Sequence, residues 1–76
     1  MEEKVKEIIA KYQGIEVEKI GNSSRLIQDI GLSSFDVMGL VCSFEENFEI
    51  EIPDRDIAKV RTVQDIIDTI EKIKKQ

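Results

Sequence analysis

Residues 33 to 48 read SSFDVMGLVCSFEENF, and their spacing decides the kind of fold this chain adopts. Val37, Leu40, Val41, Phe44 and Phe48 recur at intervals of three and four, which draws one apolar stripe along a helix. Ser33 and Asp36 form an S-x-x-D start, in which the serine oxygen accepts the third amide and the acid reaches back to the serine amide. Ser34 then stands at the first helical position with its hydroxyl outward. Gly39 inside the helix costs about 1 kcal/mol relative to alanine, so packing has to hold the segment.

Working outward, Val5, Ile8, Ile9 and Tyr12 form a second stripe between Glu2 and Tyr12, with acids at the start and Gly14 as the stop. Residues 13 to 32 scatter Ile15, Val17, Ile20, Leu26, Ile27 and Ile30 around a GNSS turn cluster without sustained periodicity. This is expected to be a long ordered loop lying on the core. FEIEIPD alternates like a strand but has no second strand to pair with, so it reads as an extended connector tucking Ile50 and Ile52 inward. Asp54 is expected to cap a short helix over 55–60 that turns Ile57 and Val60 to the core. Thr62 with Asp65 opens the last helix, whose stripe runs through Val63, Ile66, Ile67, Ile70 and Ile73 to a lysine-rich end. The expected fold is all-α: one domain over 1–76, a small four-helix bundle of three main helices, one short helix and the long loop.

Composition narrows the chemistry. With 76 residues, no histidine and one cysteine, the chain has no Ser-His-Asp constellation, no intrachain disulfide and no soft tetrahedral zinc site. Every lysine lies on a polar face or tail, where a depressed pKa is hard to reach, so catalysis by Ser34 alone is not expected. The acids of DRD and EENFEIE lack the loop and central glycine of a calcium hand, and no metal site is expected. Neither a glycine-rich phosphate loop nor an apolar run long enough for a bilayer occurs. The two glutamates after Met1 do not resemble a signal peptide, and a lone cysteine suits a reducing, cytoplasmic setting.

A net charge of −5, from 16 acids against 11 bases, disfavours nucleic acid and anionic lipid as partners and favours proteins with basic patches. What remains is a hydroxyl at a helix N-terminus, where free amides and the dipole would welcome an attached phosphate. Two readings of Ser34 stand at this point: an attachment site, or a tolerated first-turn residue beside the capping Ser33.

The run DIGLSSFDVMGLVCSFEENFEIEIPD, followed by TVQDIIDTI, resembles an acyl carrier protein, and the likeness extends along the whole chain. The family's core motif maps onto Asp29, Ile30, Gly31, Leu32, Ser33, Ser34 and Phe35, with Gly31 three residues before Ser34 and Asp36 two after it. The resemblance implies a non-catalytic carrier whose Ser34 receives 4'-phosphopantetheine from coenzyme A through a phosphopantetheinyl transferase. Synthase enzymes with basic docking patches would then load and process acyl thioesters on the arm, with the carrier working as a monomer. By the same correspondence an acyl chain would enter a cleft drawn from Leu26, Leu40, Phe44, Ile52, Ile57 and Val60.

Phe35, Met38 and Cys42 form a second apolar strip on the helix, on a face other than the core stripe. Bordered by Asp36, Glu45 and Glu46, and with Asp54 beyond, it reads as a partner-binding face, with burial the expected role of Cys42. The sequence departs from the family pattern where Ser33 replaces an aspartate, Phe35 a leucine and Gly39 the glutamate of many fatty-acid carriers. These departures keep a specialised polyketide or aminoacyl carrier in view beside fatty-acid biosynthesis, along with an unmodified interaction module of the same fold.

Overall fold

The computed structural model describes residues 1–75. Four helices follow in order: α1 over Glu2–Gln13, α2 over Ser34–Phe48, α3 over Asp54–Ile57 and α4 over Val63–Lys74. One apolar cluster draws on α1, α2, α4 and the loop between the first two, and Ile57 and Val60 pack against it.

α1 buries Val5, Ile9 and Ala10 and ends where Gly14 enters the left-handed region at φ 74°, its amide returning to the Ala10 carbonyl. Tyr12, expected on the core stripe, is 42% exposed instead. It sits at the edge of the buried face, so its phenol leaves the core and turns toward α2.

The loop from Gly14 to Ser33 carries a short 3₁₀ turn at Val17–Lys19 that the scattered apolar pattern did not reveal. Ile20, Leu26, Ile30 and Leu32 fix it to the core, while Ile27 points to solvent. The hydrogen bonds that define the loop run to the far end of the chain. Leu26 donates to the Arg61 carbonyl at 3.0 Å, and the Ser24 and Asn22 carbonyls accept from Val63 and Gln64 at 3.1 and 2.8 Å. The loop thereby satisfies two first-turn amides of α4 that the helix itself leaves without acceptors.

α2 begins with the reciprocal cap expected from its sequence: Ser33 Oγ accepts from the Asp36 amide at 3.0 Å, and Asp36 Oδ2 accepts from the Ser33 amide at 2.9 Å. Leu40, Val41 and Phe44 are buried, with Val37 and Phe48 packed at the edges. At the other end Lys74 Nζ donates to the Phe48 carbonyl at 3.3 Å, giving a terminal carbonyl the partner that the helix cannot supply.

The connector that follows is extended, and Glu45 Oε2 holds it by accepting from the Ile52 amide at 2.8 Å. α3 is shorter than the expected 55–60 and begins one residue earlier. Pro53, not Asp54, occupies the cap position, and no side chain caps the helix; Asp54 is its first residue. The buried member of α3 is Asp56, whose carboxylate lies 3.5 Å from Lys72 Nζ. α4 repeats the capping device through Thr62 and Asp65 and buries Val63, Ile66, Ile67 and Ile70. Arg61 and Thr62 both donate to Asp65 Oδ2, at 2.9 and 3.0 Å.

Candidate functional site

The first turn of α2 is anchored on both flanks and open between them. Upstream, Gln13 Nε2 donates to the carbonyls of Ile30 and Gly31 at 3.2 and 3.3 Å, and Gly31 takes a φ of +87° to make the bend into Ser33. Downstream, the Ser33–Asp36 cap fixes the helix start, and the Tyr12 hydroxyl donates to the second Asp36 oxygen at 3.2 Å. Ser34 lies between these anchors, exposed, and its hydroxyl has no hydrogen-bond partner among the described residues.

Ionisation follows from this bonding. Hydrogen bonds from the Ser33 amide, then from the Ser33 hydroxyl, hold the Asp36 carboxyl below its ordinary value, and Tyr12 adds to the effect. Partial desolvation, then the Asp36 hydrogen bond and its charge, push the Tyr12 phenol above its ordinary value. Both effects favour the ionised acid facing a protonated phenol.

Beside Ser34 an open groove of about 500 Å³ runs between α2 and the α3 region. Its apolar wall includes Leu26, Val37, Met38, Ile57 and Val60, and Gln28 and Arg61 stand on its polar side. Three of the six residues expected in a cleft, Leu26, Ile57 and Val60, therefore meet in the groove. Leu40, Phe44 and Ile52 do not line it; they are buried in the core cluster. Val37, Gln28 and Arg61 belong to the groove but were not singled out from the sequence. Val37 was absorbed in the core stripe, and the loop and α3 exit that supply the others carry no periodic signal.

The strip on α2 is exposed: Phe35 is 84% and Met38 50% accessible. Cys42 is exposed as well, against the burial expected of it. The acids around the strip differ from one another. Glu46 and Asp54 are exposed, Asp36 is committed to the cap and Tyr12, and Glu45 is committed to the connector. Among the described residues no three histidine, cysteine or acidic side chains converge as a metal site, and no helix is long and apolar enough to cross a membrane.

A family model described as a phosphopantetheine attachment site matches residues 3–70. An acyl carrier protein of Akkermansia muciniphila is 42% identical over 73 residues, covering 96% of this chain and 91% of that one. The chain belongs to the acyl carrier protein family. A solved structure from Mycobacterium tuberculosis, presented as an acyl carrier protein, superposes with a TM-score of 0.88 at 25% identity, covering 93% of this chain and 95% of that one. The four-helix architecture is thus the architecture of the family. Acyl carrier proteins are non-catalytic: they carry a phosphopantetheine group, and their chemistry belongs to the enzymes that use them.

The helix start fits such a group. The Ser34 and Phe35 amides have no protein acceptor among the described residues, and both lie at the positive end of a 15-residue helix. A phosphate joined to the Ser34 oxygen would meet those two donors and the dipole together.

Proposed function

We propose that Ser34 is the attachment point for 4'-phosphopantetheine, delivered from coenzyme A by a phosphopantetheinyl transferase. The observation that carries this reading is a hydroxyl without a partner among the described residues, exposed at the first position of α2 and held between two fixed flanks. The arm supplies a terminal thiol on which acyl groups ride as thioesters. The chain's own part is to present the serine, to offer two amides and a helix dipole to the phosphodiester, and to keep the turn still. The transferase brings the base and the metal that a chain without histidine does not supply.

The groove next to Ser34 suits the proximal arm and the start of an acyl chain, with Leu26, Ile57 and Val60 as apolar contacts and Gln28 and Arg61 as donors at the rim. Leu40, Phe44 and Ile52 form the layer behind it, which a longer chain would meet only by displacing core side chains. Partners would read α2 through Phe35 and Met38, with Asp36, Glu45, Glu46 and Asp54 as the acidic surround that attracts basic patches. The same reading has the chain acting as a monomer in the cytoplasm.

Fatty-acid biosynthesis is the pathway this reading names first. A dedicated pathway with another acyl or aminoacyl cargo is favoured by one observation: position 39 offers no carboxylate, and the Tyr12 phenol packs over Gly39 instead. The test is incubation with coenzyme A, magnesium and a broad-specificity transferase, followed by intact-mass measurement. Wild type should gain one arm and Ser34→Ala none; a Ser34→Ala chain that gains the arm overturns the assignment.

A further inference from the structure

The geometry points to Tyr12 as a positioning residue for the turn that bears Ser34, admitted by Gly39 and acting through Asp36. This deepens the reading of Ser34 as the attachment point and rests on it for its functional half.

Asp36 and Gly39 stand three residues apart and so share one face of α2. The Tyr12 phenol crosses from the last turn of α1 onto that face. A Cβ built at Gly39 would lie 2.9 Å from the Tyr12 hydroxyl oxygen and 3.5 Å from the ring carbons, so only glycine leaves the hydroxyl where it is. From there it donates to Asp36 Oδ1 at 3.2 Å, while Asp36 Oδ2 holds the Ser33 amide at 2.9 Å. The carboxylate thus bridges α1 to the backbone just before Ser34. The neighbouring residue, Gln13, grips the Ile30 and Gly31 carbonyls on the upstream side. Two consecutive residues at the end of α1 therefore hold both flanks of one turn.

That arrangement accounts for two sequence features that helix formation alone leaves unexplained. Gly39 weakens the helix that contains it, yet it makes room for the phenol. Tyr12 closes the apolar stripe of α1 yet stands 42% exposed, and its hydroxyl has a partner 24 residues away. The consequence for modification is geometric. Group transfer to Ser34 needs its oxygen placed against the incoming phosphorus, and a displacement of about 1 Å can cost on the order of a hundredfold in rate.

The chain has one tyrosine and no tryptophan, so tyrosinate absorbance in alkaline titration reads Tyr12 alone. The charges facing it are Asp36 from α2, with Lys4, Glu7 and Lys11 of α1 lining the same groove as the phenol. Asp36→Asn is expected to lower the Tyr12 titration midpoint. Tyr12→Phe is expected to lower kcat for arm transfer about tenfold while leaving KM for the carrier unchanged. Gly39→Ala closes the cycle. With Tyr12 present it should lower both the titration midpoint and the transfer rate; in the Tyr12→Phe background it should leave transfer unaffected and raise Tm, because alanine favours helix and the hydroxyl is gone.

Equal effects of Gly39→Ala in both backgrounds, or an Asp36→Asn midpoint equal to wild type, overturn the proposal. Titration and Tm are read on the unmodified chain, so they test the clamp even if the arm proves to be attached elsewhere. Transfer kinetics alone depend on Ser34.

Discussion

Replacing Ser33 with alanine removes one half of the reciprocal cap on α2 and leaves the other half standing. The lost contacts are the Asp36 amide to Ser33 Oγ at 3.0 Å and the Ser33 hydroxyl to the Asp36 carboxyl; the Ser33 amide to Asp36 Oδ2 at 2.9 Å survives, because it uses the backbone donor. Ser33 is exposed, so water reaches the released amide and the cost stays near the middle of the range for cap removal, about 1 kcal/mol. For a domain of this size that corresponds to a fall in Tm of about 4–8 °C, and to a lower urea midpoint with an unchanged slope. Circular dichroism during urea and thermal unfolding measures both. Ser34→Ala, which removes no hydrogen bond among the described residues, should stay within about 0.5 kcal/mol of wild type. If Ser33→Ala is as stable as wild type, or Ser34→Ala loses as much as Ser33→Ala, then the structural and presented roles of the two serines are assigned the wrong way round.

Acid should weaken the fold in a way traceable to two carboxylates. Asp36, held down chiefly by the Ser33 amide, and Asp29, held down chiefly by the Arg25 side chain, both titrate below their unfolded values. Their contribution is fully present above about pH 4 and is lost as pH falls through the depressed folded values. Urea midpoints between pH 7 and pH 2 should fall less steeply in an Asp29→Asn, Asp36→Asn double variant, and an unchanged slope would contradict this. Lys72→Ala strips from Asp56, whose side chain is 9% exposed, the only cation paired with it among the described residues; because the Lys72 side chain is 58% exposed, the expected loss is modest, about 1 kcal/mol, read by urea unfolding. A Lys72→Ala chain with wild-type stability would show that Asp56 needs no partner.

Where hydrogen bonds are local, sequence was enough to place them. Both S/T-x-x-D caps, the glycine stop at Gly14 and the apolar stripes of α2 and α4 reappear in the structure, because each is set within four residues along the chain. The loop between α1 and α2 was legible only as apolar and ordered. Its shape depends on bonds to Arg61, Val63 and Gln64, which no local pattern announces. α3 departs from its sequence pattern for a related reason: Asp54 has the residue type of a cap, but the helix starts one residue earlier than that implies, at Asp54 itself, and its buried acid is Asp56. Periodicity also put Tyr12 on the core face, although a phenol has a polar end that seeks a partner.

The site divides along the same line. Ser34 and the exposed Phe35 and Met38 follow from helix geometry and stand where the pattern put them on α2. The groove was half legible. Leu26, Ile57 and Val60 line it, whereas Leu40, Phe44 and Ile52 share their apolar character but sit deeper, and composition does not distinguish depth. Gly39 carried the signal that could have revealed Tyr12, since a glycine inside a helix is retained at a cost only where something must come close.

Fragment-ion localisation of the arm on the modified wild-type chain tests the central claim most directly, because it separates two adjacent serines that intact mass alone does not. Cleavage between residues 33 and 34 should leave the whole phosphopantetheine mass on the fragment containing Ser34 and none on the fragment ending at Ser33. The arm found on Ser33, or on any other hydroxyl, would contradict the account.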